Sequence, residues 1–441
     1  MASRPLRKTL TLATAYLLVL IVAACGTTAP KVTPPTSEGA SSEELPTIKI
    51  GAAVPFTSEI ADGAKEMREA FDMYVDQHHG TLGGLPVKML WEDTEGDAGI
   101  AVAKVKKLID TDKVNLLTQG GFAFESLAYS NTVKETQIPF VGWVAADELS
   151  RANNPYTLGV AKHTASQEGM PLGTYSHDEL GYKKAAIIAQ DSQWGWQVSG
   201  GFQYAFEAAG GTVVSKSFVQ TGTSDYGPIV TEIPRDIDVV FAVITGSDVP
   251  RFVQAYNDYG LKSTIPLMGS EDVVGSDATR YFNDDAEGIR GITPFSPAID
   301  RPEMRSFVQA YTARTGQEPS FWGEGAYVNA LAIDRMLWYA RDKLGIDPKD
   351  LPTWVRENGL EFLATARSIK LSDTPSSPVT IDDGGWAQRN FYVVKLVKDK
   401  DGNITNEVEH TIPNVGRFWE FNKSEFLSLP LFSRTFPTTS H

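Results

Sequence analysis

The sequence predicts an α/β protein of two doubly wound lobes, each built on a parallel sheet, and three observations carry that expectation. Short apolar runs alternate with amphipathic stretches, the alternation restarts near Ala185, and 441 residues exceed what a single hydrophobic core usually supports. Residues 48–54 read as a buried strand. Met67, Ala70, Phe71, Tyr74 and Val75 then recur at the spacing of one helix face. Residues 87–91 form the next strand, and Ala101, Val105, Leu108 and Ile109 mark the following helix. A strand at 114–117, a helix at 127–133 and a strand at 139–143 complete the first series. Such alternation implies parallel strands joined by right-handed crossovers. The second series places strands at 185–189, 213–218 and 239–244, with helices marked by Phe202, Ala205, Phe206 and Ala209 and by residues 252–259. Two more helices, around Met304–Tyr311 and Ile333–Ala340 by their apolar faces, follow with no strand between them. A last strand at 392–397 meets the turn signal Asp401-Gly402-Asn403.

The N-terminus is a processing signal. Arg4, Arg7 and Lys8 precede an uncharged Leu/Ala/Val-rich run over residues 9–24, which is too short for a spanning helix and has the make-up of a signal peptide. Its end, Val22-Ala23-Ala24-Cys25-Gly26, places small residues before the only cysteine and resembles the lipobox of bacterial lipoproteins. That resemblance implies cleavage before Cys25 and a lipid on its thiol; the plainer alternative is an ordinary secretory leader with an incidental cysteine. Residues 1–24 are thus read as a lipoprotein signal peptide. Residues 25–46, rich in Thr, Pro, Ser and Glu, are read as a flexible tether. A lone cysteine leaves no intrachain disulfide.

Composition and motifs exclude several functions. Hydrophobic residues at 42% and charged residues at 22% are ordinary for a soluble globular body. A net charge of −15 without a Lys/Arg cluster argues against nucleic-acid binding. There is no Walker loop, so the chain is not an ATPase subunit, and no G-x-S-x-G, H-E-x-x-H or C-x-x-C. Gly323-Glu324-Gly325 lacks the third glycine of a dinucleotide fingerprint. His78 and His79 are adjacent, which aims them apart on a helix and suits a solvated helix end better than a metal. The acidic run from Glu92 to Asp97 fits helix capping ahead of calcium. No enzyme chemistry, cofactor or metal is expected.

Several segments in order carry a family resemblance: Ile48-Lys49-Ile50-Gly51 with Pro55-Phe56-Thr57, Gly83-Gly84-Leu85-Pro86-Val87, the acidic run, Gln137-Ile138-Pro139-Phe140, and Gly260-Leu261-Lys262 through Pro266-Leu267. From about residue 48 to 397 the chain resembles the branched-chain amino acid (Leu/Ile/Val-binding) type of ABC transporter substrate-binding proteins, with the type I periplasmic-binding fold. The resemblance implies two lobes, 47–162 with 293–372 and 163–292 with 373–441, joined by three crossovers near 158–163, 289–293 and 371–374. It implies capture of an amino acid or related small carboxylate between the closing lobes. It also implies an extracytoplasmic location, delivery to ABC permease and ATPase subunits, and attachment to the membrane through the lipid anchor only. A ligand-sensing module for a signalling receptor is the alternative use of such a fold.

Open α/β sheets bind ligands beyond the carboxyl ends of their strands, so the site is expected in those loops. In the family the loop after the third strand holds a small hydroxyl residue; here it reads Gly120-Gly121-Phe122-Ala123-Phe124, with Ala123 in that place. The next loop, Gly142-Trp143-Val144-Ala145-Ala146, has Ala145 where amino-acid binders carry a second hydroxyl. Trp194 matches the family's aromatic from the other lobe, Glu271 or Asp272 the acid that receives a ligand ammonium, and Phe56 and Trp322 complete the walls. An arginine common before the first crossover is absent from Tyr156-Thr157-Leu158-Gly159. Phe122, Trp143 and Trp194 also suit a lobe core, and Glu271 and Asp272 also suit a helix cap. The two lost hydroxyls and the many aromatics together favour a ligand with a larger apolar or aromatic body and one carboxylate.

Overall fold

The computed structural model describes residues 44–152 and 154–436; the leader, Cys25 and most of the tether lie outside them. One sheet comprises β1 (Ile48–Val54), β2 (Thr81–Leu82), β3 (Leu85–Asp93), β4 (Leu116–Gln119), β5 (Phe140–Gly142) and β6 (Thr157–Leu158), in the order β2-β3-β1-β4-β5-β6. β1 runs parallel between β3 and β4, with Ile50 opposite both Met89 and Leu116. Covered on both faces, it is apolar along nearly its whole length, the signature of a central parallel strand.

The second sheet comprises β7 (Lys184–Gln190), β8 (Thr212–Val219), β9 (Val239–Val243), β10 (Leu267–Gly269), β11 (Arg290–Thr293), β12 (Thr380–Ile381), β13 (Ala387–Lys398) and β14 (Ile404–Val415). Its order is β12-β13-β11-β10-β9-β7-β8, with β14 pairing β13. Strands β7 to β11 run parallel to one another, whereas β13 is antiparallel to β11, β12 and β14. The expected strand at 392–397 is therefore the second half of a 12-residue strand, and the turn at Asp401-Gly402 leads into a partner strand. Gly402 takes φ +87°, a value that only glycine adopts without strain.

The chain passes between the sheets three times. It leaves the first after β6, reaches the second through the helix Ala165–Asp178, and returns after β11 to place the helices Pro302–Thr315 and Phe321–Asp342 against the helix Ala61–Gln77 of the first sheet. It crosses again before β12. In each sheet the strand order reverses at one strand, β1 between β3 and β4 in the first and β7 between β8 and β9 in the second. Those reversals are the points at which crossover helices diverge to opposite faces and leave a crevice at the strand ends.

Candidate functional site

A single cleft collects residues from the carboxyl ends of both sheets. The first sheet contributes Glu59 and Ile60 after β1, Gly121 to Phe124 after β4, and Trp143 and Ala145 after β5. The second contributes Gln190, Ser192 and Trp194 from the end of β7, Thr221 after β8, Thr245 after β9 and Asp272 after β10. Lys162, from the first crossover, and Trp322, from the start of the helix Phe321–Asp342, complete the lining. The free space in and around the cleft, open solvent at its mouth included, is about 600 Å3.

Aromatic rings form the walls. Trp143 and Trp322 stack with centroids 4.9 Å apart and planes 22° apart, and Phe321 lies 6.0 Å from Trp143 behind them. Phe122 and Phe124 stack at 5.1 Å. Trp143 is only 2% exposed, so it serves the core and the cleft wall at once. A β-carbon on Gly325 would lie 2.2 Å from the Trp143 ring, so glycine there lets the helix Phe321–Asp342 approach that indole. Packing accounts for Gly325, whereas a β-carbon on Gly323 would meet only ordinary contacts at 3.6 Å and beyond.

Against the rings lies a buried polar cluster, of which Lys162, Thr245 and Asp272 also line the cleft. The Lys162 ammonium bonds Glu271 Oε1, His163 Nε2 lies 3.3 Å from Glu168 Oε2, and the Glu271 backbone N–H donates to Glu168 Oε1 at 2.8 Å. The Thr245 hydroxyl donates to Asp272 Oδ1. Beside them Arg389 is paired with Glu324 at 2.7 Å. Burial dominates the titration of this group. It pushes Glu168 up to about 8 and Asp272 up to about 6, against the nearby Lys162 charge that lowers both. Burial pushes the Lys162 ammonium below the usual lysine range, with Glu168 and Asp272 drawing it back. His163 is held well below its ordinary value by burial and by the Lys162 and Arg389 charges. Among the described residues, His163, Glu168 and Glu271 bring donor atoms within 4.8 Å of one another, a spacing that could hold a metal. The Lys162 ammonium already supplies a positive charge at that place. The acidic run at Glu92 to Asp97 caps and pairs: Asp97 accepts from Gly99 and Ile100 N–H, and Glu92 pairs with Lys104 and Lys107.

Residues 47–403 match the family described as periplasmic binding protein. The chain belongs to that family. A relative from Brucella melitensis biotype 1, named Leu/Ile/Val-binding protein homolog 6, is 26% identical over 388 residues, covering 86% of this chain and 95% of its own. Among solved structures, an ABC transporter substrate-binding protein from Sphaerobacter thermophilus is similar with a TM-score of 0.77 and 25% identity, covering 84% of this chain and 99% of its own. A solute-binding protein of an ABC transporter from R. palustris, solved in complex with 4-hydroxybenzoate, has a TM-score of 0.75 and 25% identity over 85% of this chain and 99% of its own.

In this periplasmic binding protein the cleft brings together Phe122, Ala123, Phe124, Trp143, Ala145, Trp194, Asp272 and Trp322 from the expected set. Phe56 and Glu271 are not among its lining. The Phe56 ring turns against Trp91 at 6.1 Å while its N–H donates to Asp93, and Glu271 is wholly buried in the polar cluster. Lys162, Gln190, Ser192, Thr221 and Thr245 line the cleft without having been singled out in the sequence. The one available signal was position: Gln190, Ser192 and Thr245 end or follow strands that the apolar runs do mark. Lys162 sits in a crossover, three residues beyond the place of the missing arginine, and only the folded chain brings it to the cleft.

No helix among the described residues is long and apolar enough to cross a membrane.

Proposed function

We propose that this chain is the extracytoplasmic solute-binding lipoprotein of an ABC importer and that its ligand is a small carboxylate with an aromatic or similarly apolar body. The stacked Trp143–Trp322 wall, with Phe122, Phe124 and Trp194 in the same lining, carries the reading. Aromatic pairs contribute about 0.5–1.5 kcal/mol each beyond the area they bury, so such walls favour a flat ring. The alanines at 123 and 145 stand in the lining where the resemblance places the hydroxyls of amino-acid binders. Each lost bond to a charged group weakens a free amino acid by ~1.5–3 kcal/mol. The 4-hydroxybenzoate held by the R. palustris neighbour supports the same ligand class. The ligand is captured unchanged between two closing lobes, 47–162 with 293–372 and 163–292 with 373–441, and passed to a permease driven by a separate ATPase subunit.

Calorimetry tests the ligand. Benzoate and 4-hydroxybenzoate are expected to bind with quenching of tryptophan fluorescence, and leucine and valine only weakly; tight leucine binding with no aromatic response would overturn it. The anchor is a separate question. Cys25→Ala is expected to abolish incorporation of a fatty-acid label, and undiminished labelling would remove the lipid from the proposal.

A further inference from the structure

Resting on the proposal of an aromatic carboxylate ligand, we infer that Lys162 is the specificity-determining residue that receives the ligand's carboxylate, in place of the helix start after β4. Among the described residues lining the cleft, Lys162 is the single cation, and it is only 4% exposed. Its Nζ lies 5.1 Å from the centroid of Trp143 and 5.4 Å from that of Phe321. The ammonium thus lies over the aromatic wall that would take a ligand ring, in surroundings of low dielectric where a charge-assisted bond is strong. Lysine has three donors. Glu271 takes one, leaving the ammonium able to serve an acceptor on the cleft side as well.

The alternative receptor is the start of the helix Ala123–Thr136, whose first turn also lines the cleft. Helix starts attract anions, but this one already has an acid. The Phe122 N–H donates to Glu125 Oε2 at 3.3 Å, and Glu125 is a buried carboxyl with Glu59 and Asp93 close enough to raise its affinity for a proton. Glu59 also lines the cleft. A second carboxylate entering there meets acids with no side-chain cation among the described lining residues, whereas at Lys162 it meets an ammonium, one already shared with Glu271 and flanked by Asp272 and Glu168. The lost hydroxyls at Ala123 and Ala145 belong to the same change: the anion's receptor has moved from the strand-end loops to the crossover.

The test compares 4-hydroxybenzoate with its uncharged methyl ester on the full chain. Lys162→Met is expected to weaken the acid by roughly tenfold to hundredfold, the span of one charge-assisted bond, and to leave the ester unchanged. Because Lys162→Met strands Glu271 in the interior, the double variant Lys162→Met/Glu271→Gln, which removes both charges, is measured beside it. Selective loss of the acid in the double variant, with ester binding showing an intact cleft, supports the inference. Acid affinity equal to wild type in the double variant overturns it, and leaves Lys162 as the counter-charge of a structural cluster or the helix start as the receptor. If wild type binds neither acid nor ester, the aromatic reading itself fails, a result distinct from loss of the acid alone.

Discussion

Glu168 shows how one buried carboxyl writes itself into stability. Its pKa in the folded protein, about 8 against an ordinary 4.5, means that between those values the folded state keeps a proton that the unfolded chain has released. Stability linked to this group therefore falls as pH rises from about 4.5 to about 8. Glu168→Gln, which keeps an acceptor for the Glu271 N–H, is expected to gain on wild type across that interval by roughly 2–4 kcal/mol. Urea denaturation at pH 5 and pH 8.5 measures it; a constant difference at both would mean that Glu168 is ionised throughout. Nothing in the sequence around Glu168 announces this. Its charge cluster joins residues 162–168, 245, 271–272 and 389, which are distant in sequence, so only strand order brings them together. Phe122, Trp143 and Trp194 were legible because each follows an apolar run and such loops converge at the sheet ends, whereas Trp322 opens a helix and was placed by the family resemblance. Phe56 meets the same criterion, yet Trp91 and Asp93 on the neighbouring strand draw its ring and backbone away from the lining.

At the scale of elements, the long apolar strands were readable and the short or polar elements were not. β1 runs Ile48–Val54 as its apolar run suggests, and β7 and β9 extend within a residue or so of theirs. β10 and β11 have only 3 and 4 residues, too few for a periodicity. The helix Ala165–Asp178 shows no amphipathic face because it is buried through small and polar residues: Gln167 donates to the carbonyls of Ala387 and Val415, and glycines meet the helix Gln193–Ala208. A β-carbon on Gly169 would stand 2.0 Å from the Val198 carbonyl oxygen and 2.6 Å from the Phe202 nitrogen, both backbone atoms that cannot swing aside. Gly169→Ala gains about 1 kcal/mol of helix propensity but forces the two helices apart, an overpacking cost of about 1–3 kcal/mol. A net loss of stability is expected, read by denaturant midpoint; a gain would show that the interface yields. Because this helix leads from the first crossover into β7, its seating also holds the strand that ends in Gln190 beside the cleft.

For the whole molecule, the contacts that join the two proposed lobes beside the cleft decide how a ligand shifts its shape. Arg280, in the second, donates to Glu66 at 2.8 Å and to Gln317 at 2.9 Å in the first, and Tyr281 donates to Asp62 at 3.0 Å. Trp322, a wall of the cleft, donates its indole N–H to Asp277 at 3.3 Å. Bonds of this kind exist only while the lobes are together, so their free energy belongs to the closed form, and a ligand that needs that form gains from them. Glu66 is buried and loses its charged partner when the lobes part, which makes the Arg280 pair more consequential than a surface ion pair. If the open form predominates without ligand, Arg280→Ala removes about 1.5–3 kcal/mol from closure and weakens ligand affinity roughly tenfold to hundredfold. Hydrophobic contacts with the ligand are untouched, so the loss is expected equally for the acid and for its neutral ester, unlike a change at Lys162. Small-angle scattering supplies the geometric half: the radius of gyration of wild type is expected to fall on saturation with ligand, and the variant to require more ligand for the same fall. An unchanged radius at saturation, together with unchanged affinity in Arg280→Ala, would show that the lobes do not close on the ligand and that these contacts only stiffen one rigid body.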